Sequence, residues 1–162
     1  MGKKNDKTKE KTNVMRLLDA SHIGYIPHEY DNTITEGVSV AALLGQDEGS
    51  VFKTLVTEAP GGAHFVFVIP VAETLDLKAA AKAAGVKSVS MIKQKELLPL
   101  TGYIHGGCSP VGMKKPFPTY IDSSASVLEK FCVSAGKVGH QIELSPLELA
   151  GFIGASFADL TV

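Results

Sequence analysis

The chain has 162 residues, 44% hydrophobic and 20% charged, a length and balance that suit one globular domain with a real core. Sixteen Lys and Arg against 17 Asp and Glu leave a formal net charge of −1. That argues against a protein that wraps a long run of phosphates, so DNA is not an expected partner and any RNA contact should be small and local. Cys108 and Cys132 are the only cysteines, too few for a disulfide-stapled secreted domain, and reduced thiols in a cytosol are expected.

The start, M-G-K-K-N-D-K-T-K-E-K, has no apolar stretch after its basic residues, so neither a signal peptide nor a membrane anchor is expected. Residues 1–11 read as a frayed, solvated basic tail, and 12–162 as one domain. From Thr12 the spacing of Val14, Leu17 and Leu18 predicts a helix that lays one stripe on the core. Tyr25–Tyr30 reads as extended. Ser39 is placed to cap a short helix from Val40 to Leu44, closed by Gly45. Val51–Val56 and His64–Val71 are rich in β-branched and aromatic residues, and the turn Ala59-Pro-Gly-Gly62 joins them as a hairpin. Asp76 caps an alanine-rich helix from Leu77 to Ala84. Val86–Met91 reads as a short strand and Gln94–Leu98 as a short helix ahead of Pro99.

Pro118–Asp122, Phe131–Ser134 and Gln141–Leu144 add three strands. Ser145-Pro-Leu-Glu148 has a capping-box pattern with proline at the first helical position, which predicts a helix to Ile153. These elements make an α+β fold, with helices packed around a mixed or antiparallel, barrel-like sheet.

Chemistry concentrates in T-G-Y-I-H-G-G-C-S-P-V-G at 101–112. His105 and Cys108 have a permissible metal-ligand spacing, but zinc needs at least three protein ligands, and Cys132 and His140 form no recognisable second pair. No metal is therefore expected. A Cys–His nucleophile needs the two side chains in contact, which sequence does not show. Cys132, between Phe131 and Val133, reads as a small buried hydrophobe. The glycines say more. Gly102, Gly106 and Gly107 permit positive φ and leave amides open to an anion or to an ester oxygen gaining charge. Lys53 interrupts the apolar run V-F-K-T-L-V, where it either meets solvent or reaches an anionic ligand in a cleft. The turn Ser134-Ala-Gly-Lys-Val-Gly139 could face the same cleft.

V-F-K-T-L-V at 51–56, T-G-Y-I-H-G-G-C-S-P-V-G at 101–112 and V-S-A-G-K-V-G-H-Q-I-E-L at 133–144 occur in that order. Together they resemble the YbaK/EbsC family of free-standing aminoacyl-tRNA deacylases, which includes the editing insertion of prolyl-tRNA synthetases. The likeness spans nearly the whole chain beyond the tail and is closest to the Cys-tRNA(Pro) and Cys-tRNA(Cys) deacylases. It implies a pocket for the aminoacyl-adenosine end of a mischarged tRNA, and no cofactor. In that pocket Lys53 holds the terminal nucleotide or phosphate, and the amide of Gly106, with Gly107, faces the ester carbonyl. Tyr30, Tyr103, Ser109, Pro110, Ser134 and Gly136 are the implied substrate-binding residues.

The third motif departs from the family pattern. Val138 replaces an arginine, and His140 and Gln141 replace commoner residues, an acidic one in the case of Gln141. In the branch resembled, the substrate's own thiol attacks its ester, so the protein needs positioning and an oxyanion site but no nucleophile. Two alternatives are an editing enzyme for another aminoacyl ester, such as alanine, that uses water, and a module that binds aminoacyl ends or nucleotides without turnover. A transient complex with prolyl-tRNA synthetase and a cytoplasmic location are the further expectations.

Overall fold

A computed structural model describes residues 10–162; the tail expectation for residues 1–9 lies outside them. Thr12 caps α1 (Asn13–Ala20) by accepting the amide of Met15, and Val14, Met15 and Leu18 are buried beneath it. The chain continues through β1 (Ile26–Glu29), α2 (Gly37–Leu44), β2 (Phe52–Glu58), β3 (His64–Pro70), α3 (Leu77–Ala84), β4 (Ser90–Met91) and α4 (Gln94–Thr101). It ends with β5 (Thr119–Asp122), β6 (Phe131–Ser134), β7 (His140–Leu144), α5 (Pro146–Ile153) and β8 (Ser156–Ala158).

The strands form two sheets. One is three-stranded and antiparallel, in the order β1-β7-β6. The other has the order β4-β2-β3-β5-β8, antiparallel at the β4-β2-β3 end and parallel from β3 to β8. A parallel bridge between Val51 and Cys132 links the two sheets, and they do not close into a single barrel.

β3 shows why the longest apolar run belongs at the centre. Its Val66 and Val68 enter the main core with Phe52, Val56, Ile121, Phe131, Ile142 and Leu149. Its Phe65, Phe67 and Ile69 enter a second core under α3 with Ala80, Ala81 and Leu160. A strand buried on both faces needs no polar alternation. Phe52 and Phe131 meet edge to face across the two sheets, with centroids 5.1 Å apart.

Four elements differ from their sequence reading. α2 begins at Gly37, with Glu36 rather than Ser39 at its N-cap; the Ser39 hydroxyl instead donates to Glu36 Oε1 at 2.6 Å. α4 runs through Pro99 to Thr101, because the ring sits on an exposed turn and costs only the bond to the Lys95 carbonyl. The strand expected over Val86–Met91 shrinks to its last two residues, and β8 completes the sheet edge from a segment with no strand signal.

Candidate functional site

The site originates in the pairing of β2. Its outer edge meets β6 at Val51 and β4 at Thr57 and Glu58, and among the described residues no strand pairs with it in between. The amide of Val71 donates to the carbonyl of Val51, so antiparallel alternation turns the backbone of 51, 53 and 55 toward β3 and that of 52, 54 and 56 outward. Val56 follows this rule, with its carbonyl accepting from Ile92. Thr54 therefore presents its backbone to the gap, and its buried Oγ1 has no hydrogen-bond partner among the described residues.

A cavity of about 370 Å³ opens at this gap, toward the small end of ligand sites. Phe52, Lys53, Thr54 and Leu55 form one wall, with Val133 and Ser134 beside them. Lys53 is half-buried and makes no ion pair among the described residues. Both faces of β2 are covered: Phe52 and Val56 enter the main core, while on the face that carries Lys53 its neighbours Val51 and Leu55 pack with Ala41, Val71 and Cys132 and under α3. The lysine thus lies in a cleft rather than on a solvated face.

The rest of the lining comes from irregular segments. The strap from Tyr30 to Gly37 crosses the cavity and contributes Tyr30, Thr35, Glu36 and Gly37, while the glycine turn contributes His105, Gly106 and Cys108. Gly106 has φ +87°, and a Cβ there would lie 2.9 Å from Cβ and Cγ2 of Thr35. At Gly107 a Cβ would meet the Val138 amide nitrogen at 3.0 Å, and at Gly139 the Tyr30 carbonyl oxygen at 3.1 Å. Tyr30 N donates to Gly139 O at 2.9 Å. Three segments distant in sequence thus touch through their main chains, which only glycine allows.

Lys53, Gly106, Tyr30 and Ser134 line the cavity together. The other residues singled out from sequence stand behind it. Gly107 is buried against the 137–138 turn. The Ser109 hydroxyl is fully buried and accepts the amide of Val111, with Pro110 buried between them. The Tyr103 hydroxyl donates to the Val111 carbonyl, and its ring lies against the Gly136 turn. Ser134 Oγ accepts the amide of Gly136 at 3.1 Å.

Burial pushes the Cys108 thiol up to about 12, and does the same to Cys132 with help from the nearby Glu143 charge. Neither is a ready thiolate. Among the described residues no group of three or more His, Cys, Asp or Glu side chains converges. Gln141, 3% exposed, exchanges hydrogen bonds with Gln46, its Oε1 accepting from Gln46 Nε2 at 2.8 Å and its Nε2 donating to Gln46 Oε1 at 3.2 Å.

Residues 32–152 match the model of the aminoacyl-tRNA editing domain. The chain belongs to that family. It is also 46% identical over 159 residues, 96% of each chain, to a protein of Enterococcus faecalis provisionally named Cys-tRNA(Pro)/Cys-tRNA(Cys) deacylase EbsC. Among solved structures, a hypothetical protein designated APE2540 superposes with a TM-score of 0.86 at 27% identity, over 93% of this chain and all of that one. A protein provisionally described as a trans-editing enzyme for prolyl tRNA synthetase gives 0.79 at 24% identity, covering 94% of this chain and 99% of its own, a likeness of fold. The fold and family implied by the three ordered motifs are therefore those of an aminoacyl-tRNA editing domain.

Sequence reasoning passed over several lining residues of this editing domain. Thr54 stands beside Lys53 in the motif and carries no signal of its own. Thr35, Glu36 and Gly37 lie in T-I-T-E-G-V, whose only hint is a glycine ahead of a helix. A Cβ on Gly37 would lie 2.4 Å from Val71 Cγ1, a contact visible only in three dimensions.

Proposed function

We propose that this editing domain is a trans-acting deacylase that removes cysteine from mischarged Cys-tRNA(Pro), and from Cys-tRNA(Cys), by using the substrate's own thiol. The observation that carries the reading is a cavity with a lysine that makes no ion pair among the described residues and a glycine turn whose only thiol, that of Cys108, is held protonated by burial. The name borne by the Enterococcus relative points to the same substrates.

In this mechanism Lys53 takes the anionic end of the terminal nucleotide. The amide of Gly106, with Gly107 shaping the turn, faces the ester carbonyl and stabilises the charge that builds on its oxygen. The substrate's sulfur attacks that carbon, a C–S bond forms as the C–O bond to the ribose breaks, and the thiol proton passes to the ribose oxygen. The tRNA leaves with a free hydroxyl, and cysteine leaves as a strained four-membered thiolactone that water opens. The net change is ester cleavage whose first step is an elimination of tRNA rather than hydrolysis. Positioning alone supplies ~7–11 kcal/mol in well-oriented intramolecular reactions, so no side-chain nucleophile is required. Tyr30 and Ser134 confine the aminoacyl end, while Tyr103, Ser109, Pro110 and Gly136 hold the two turns in place.

A separate editing step has a clear reason. Prolyl-tRNA synthetase meets cysteine as a near-isostere of proline, and a pocket separates such pairs by only ~1–3 kcal/mol. The near-neutral charge implies modest affinity for tRNA alone, which favours a transient complex with the synthetase in the cytoplasm. The test is deacylation of a panel of charged tRNAs. Cys-tRNA should be cleaved far faster than Ser-tRNA, because a cysteine thiol, with a pKa of about 8.5, is partly ionised at neutral pH and a hydroxyl is not. Equal rates on the two esters would reject substrate-thiol attack, and faster cleavage of Ala-tRNA would favour activated water.

A further inference from the structure

The charges around the cavity are few and of opposite sign. Lys53 is the only Lys or Arg among the lining residues and Glu36 the only Asp or Glu. They make no ion pair with each other, so neither is neutralised by the other. Gln141, which also lines the cavity, is neutral, and its amide is committed to Gln46. A ligand that brings a positive group into this cavity therefore meets one carboxylate, at the strap.

Glu36 is shaped for such a role. It occupies the N-cap of α2 without capping it, since its side chain accepts no backbone amide. One carboxylate oxygen is fixed by the Ser39 hydroxyl at 2.6 Å, and the other has no partner among the described residues. The neighbouring Thr35 abuts Gly106, and Gly37 is pressed against Val71. The main chain on both sides of Glu36 is thus pinned, and its carboxylate is held at the rim beside the glycine turn.

We propose that Glu36 is a specificity residue that reads the free α-ammonium group of the aminoacyl ester, the positive counterpart of the nucleotide end taken by Lys53. This deepens the deacylase reading and rests on it. The two charges, lysine and carboxylate, would sort the ligand by polarity: a zwitterionic end with phosphate on one side and ammonium on the other fits in one direction. N-blocked esters, such as those with an acylated or peptidyl amine, lack the positive group and lose this contact. The device would spare chains already in elongation.

The test uses the intact protein and non-cleavable amide analogues of the aminoacyl-adenosine end. One is 3′-cysteinylamino-3′-deoxyadenosine 5′-phosphate, and the other is its desamino (3-mercaptopropionyl) counterpart. Calorimetric titration should show the wild type binding the amine-bearing analogue about five- to tenfold more tightly, the scale of one charge-assisted contact at an open rim. Glu36→Gln should abolish that preference while leaving the desamino affinity unchanged, and adding Gln141→Asp to Glu36→Gln should restore part of it. Thermal unfolding of both variants fixes that they are folded. Equal affinity of the wild type for the two analogues, or a preference that survives Glu36→Gln, overturns the assignment. Because binding is read rather than turnover, a protein that keeps the Glu36-dependent preference yet cleaves no charged tRNA ends the deacylase reading alone.

Discussion

The two long walls of the cavity are built by opposite means. One is β2, a regular strand that projects side chains from a ladder already complete on its other edge. The second is three irregular segments, 30–37, 104–108 and 136–139, that touch through their backbones. The first wall owes its geometry to a core buried on both sides and can exchange a lining side chain without moving. The second owes it to glycines that let main chains approach, so its shape and its stability are one property. A substitution in the strand wall should therefore cost function alone, whereas one in the glycine wall should cost both.

The largest effect is expected at Gly106. Valine there must hold φ near +87° and place its Cβ 2.9 Å from Thr35. The left-handed backbone alone costs roughly 1–2 kcal/mol, more for a β-branched residue. Unfolding midpoints should fall, and single-turnover deacylation should drop by on the order of a hundredfold, the scale of a lost oxyanion donor. Normal rates with normal stability would show that the turn is not part of the site. Lys53→Ala gives the contrast. Its activity should fall by a similar order of magnitude while its melting point stays close to wild type, because among the described residues the half-buried lysine makes no ion pair whose partner would be orphaned. A large loss of stability there would put Lys53 among the structural residues of the strand.

The two walls were also unequally legible. Lys53 announces itself because a charge inside V-F-K-T-L-V breaks the pattern that burial imposes, and β3 is legible because its run of apolar residues suits a strand covered on both faces. The glycine turn is visible as a chemical candidate, and the family resemblance assigns roles to its residues. What sequence does not carry is the reason those glycines are needed, which lies in contacts of Gly106 with Thr35 and of Gly107 with Val138 that are remote along the chain. The start of α2 shows the same limit. Ser39 has the better capping side chain, yet Gly37 fits under Val71 and the helix begins there. β8 carries too few β-branched residues to announce itself and forms because β5 offers it an edge.

A milder effect should come from the support behind the glycine wall. Tyr103→Phe removes the hydroxyl that donates to the Val111 carbonyl and keeps the ring packed beside Gly136. The loss of one such bond costs ~1 kcal/mol, readable in denaturant unfolding. Activity per folded molecule should stay near wild type, and a collapse in rate at unchanged stability would move Tyr103 from support to substrate contact.

The smallest effect on rate should be at Cys108, although it lines the cavity. Its thiol is pushed up to about 12 by burial, so it is protonated at neutral pH and contributes no nucleophile. Cys108→Ala should keep its rate on Cys-tRNA within about twofold, and His105→Ala should do the same. The thiol should instead be read in stability at high pH. The unfolded chain releases this proton near 8.5, whereas the folded chain keeps it until about 12. Below the lower value both states hold the proton and folding is unaffected; above it the unfolded state is favoured increasingly as pH rises toward the upper one. Alanine removes that linkage, so the stability difference between wild type and Cys108→Ala should shift in the variant's favour across this window. A flat difference would mean that the thiol ionises as readily folded as unfolded. With a rate loss on Cys108→Ala, that result would return the nucleophile to the protein and the chemistry to the side chains of the glycine turn.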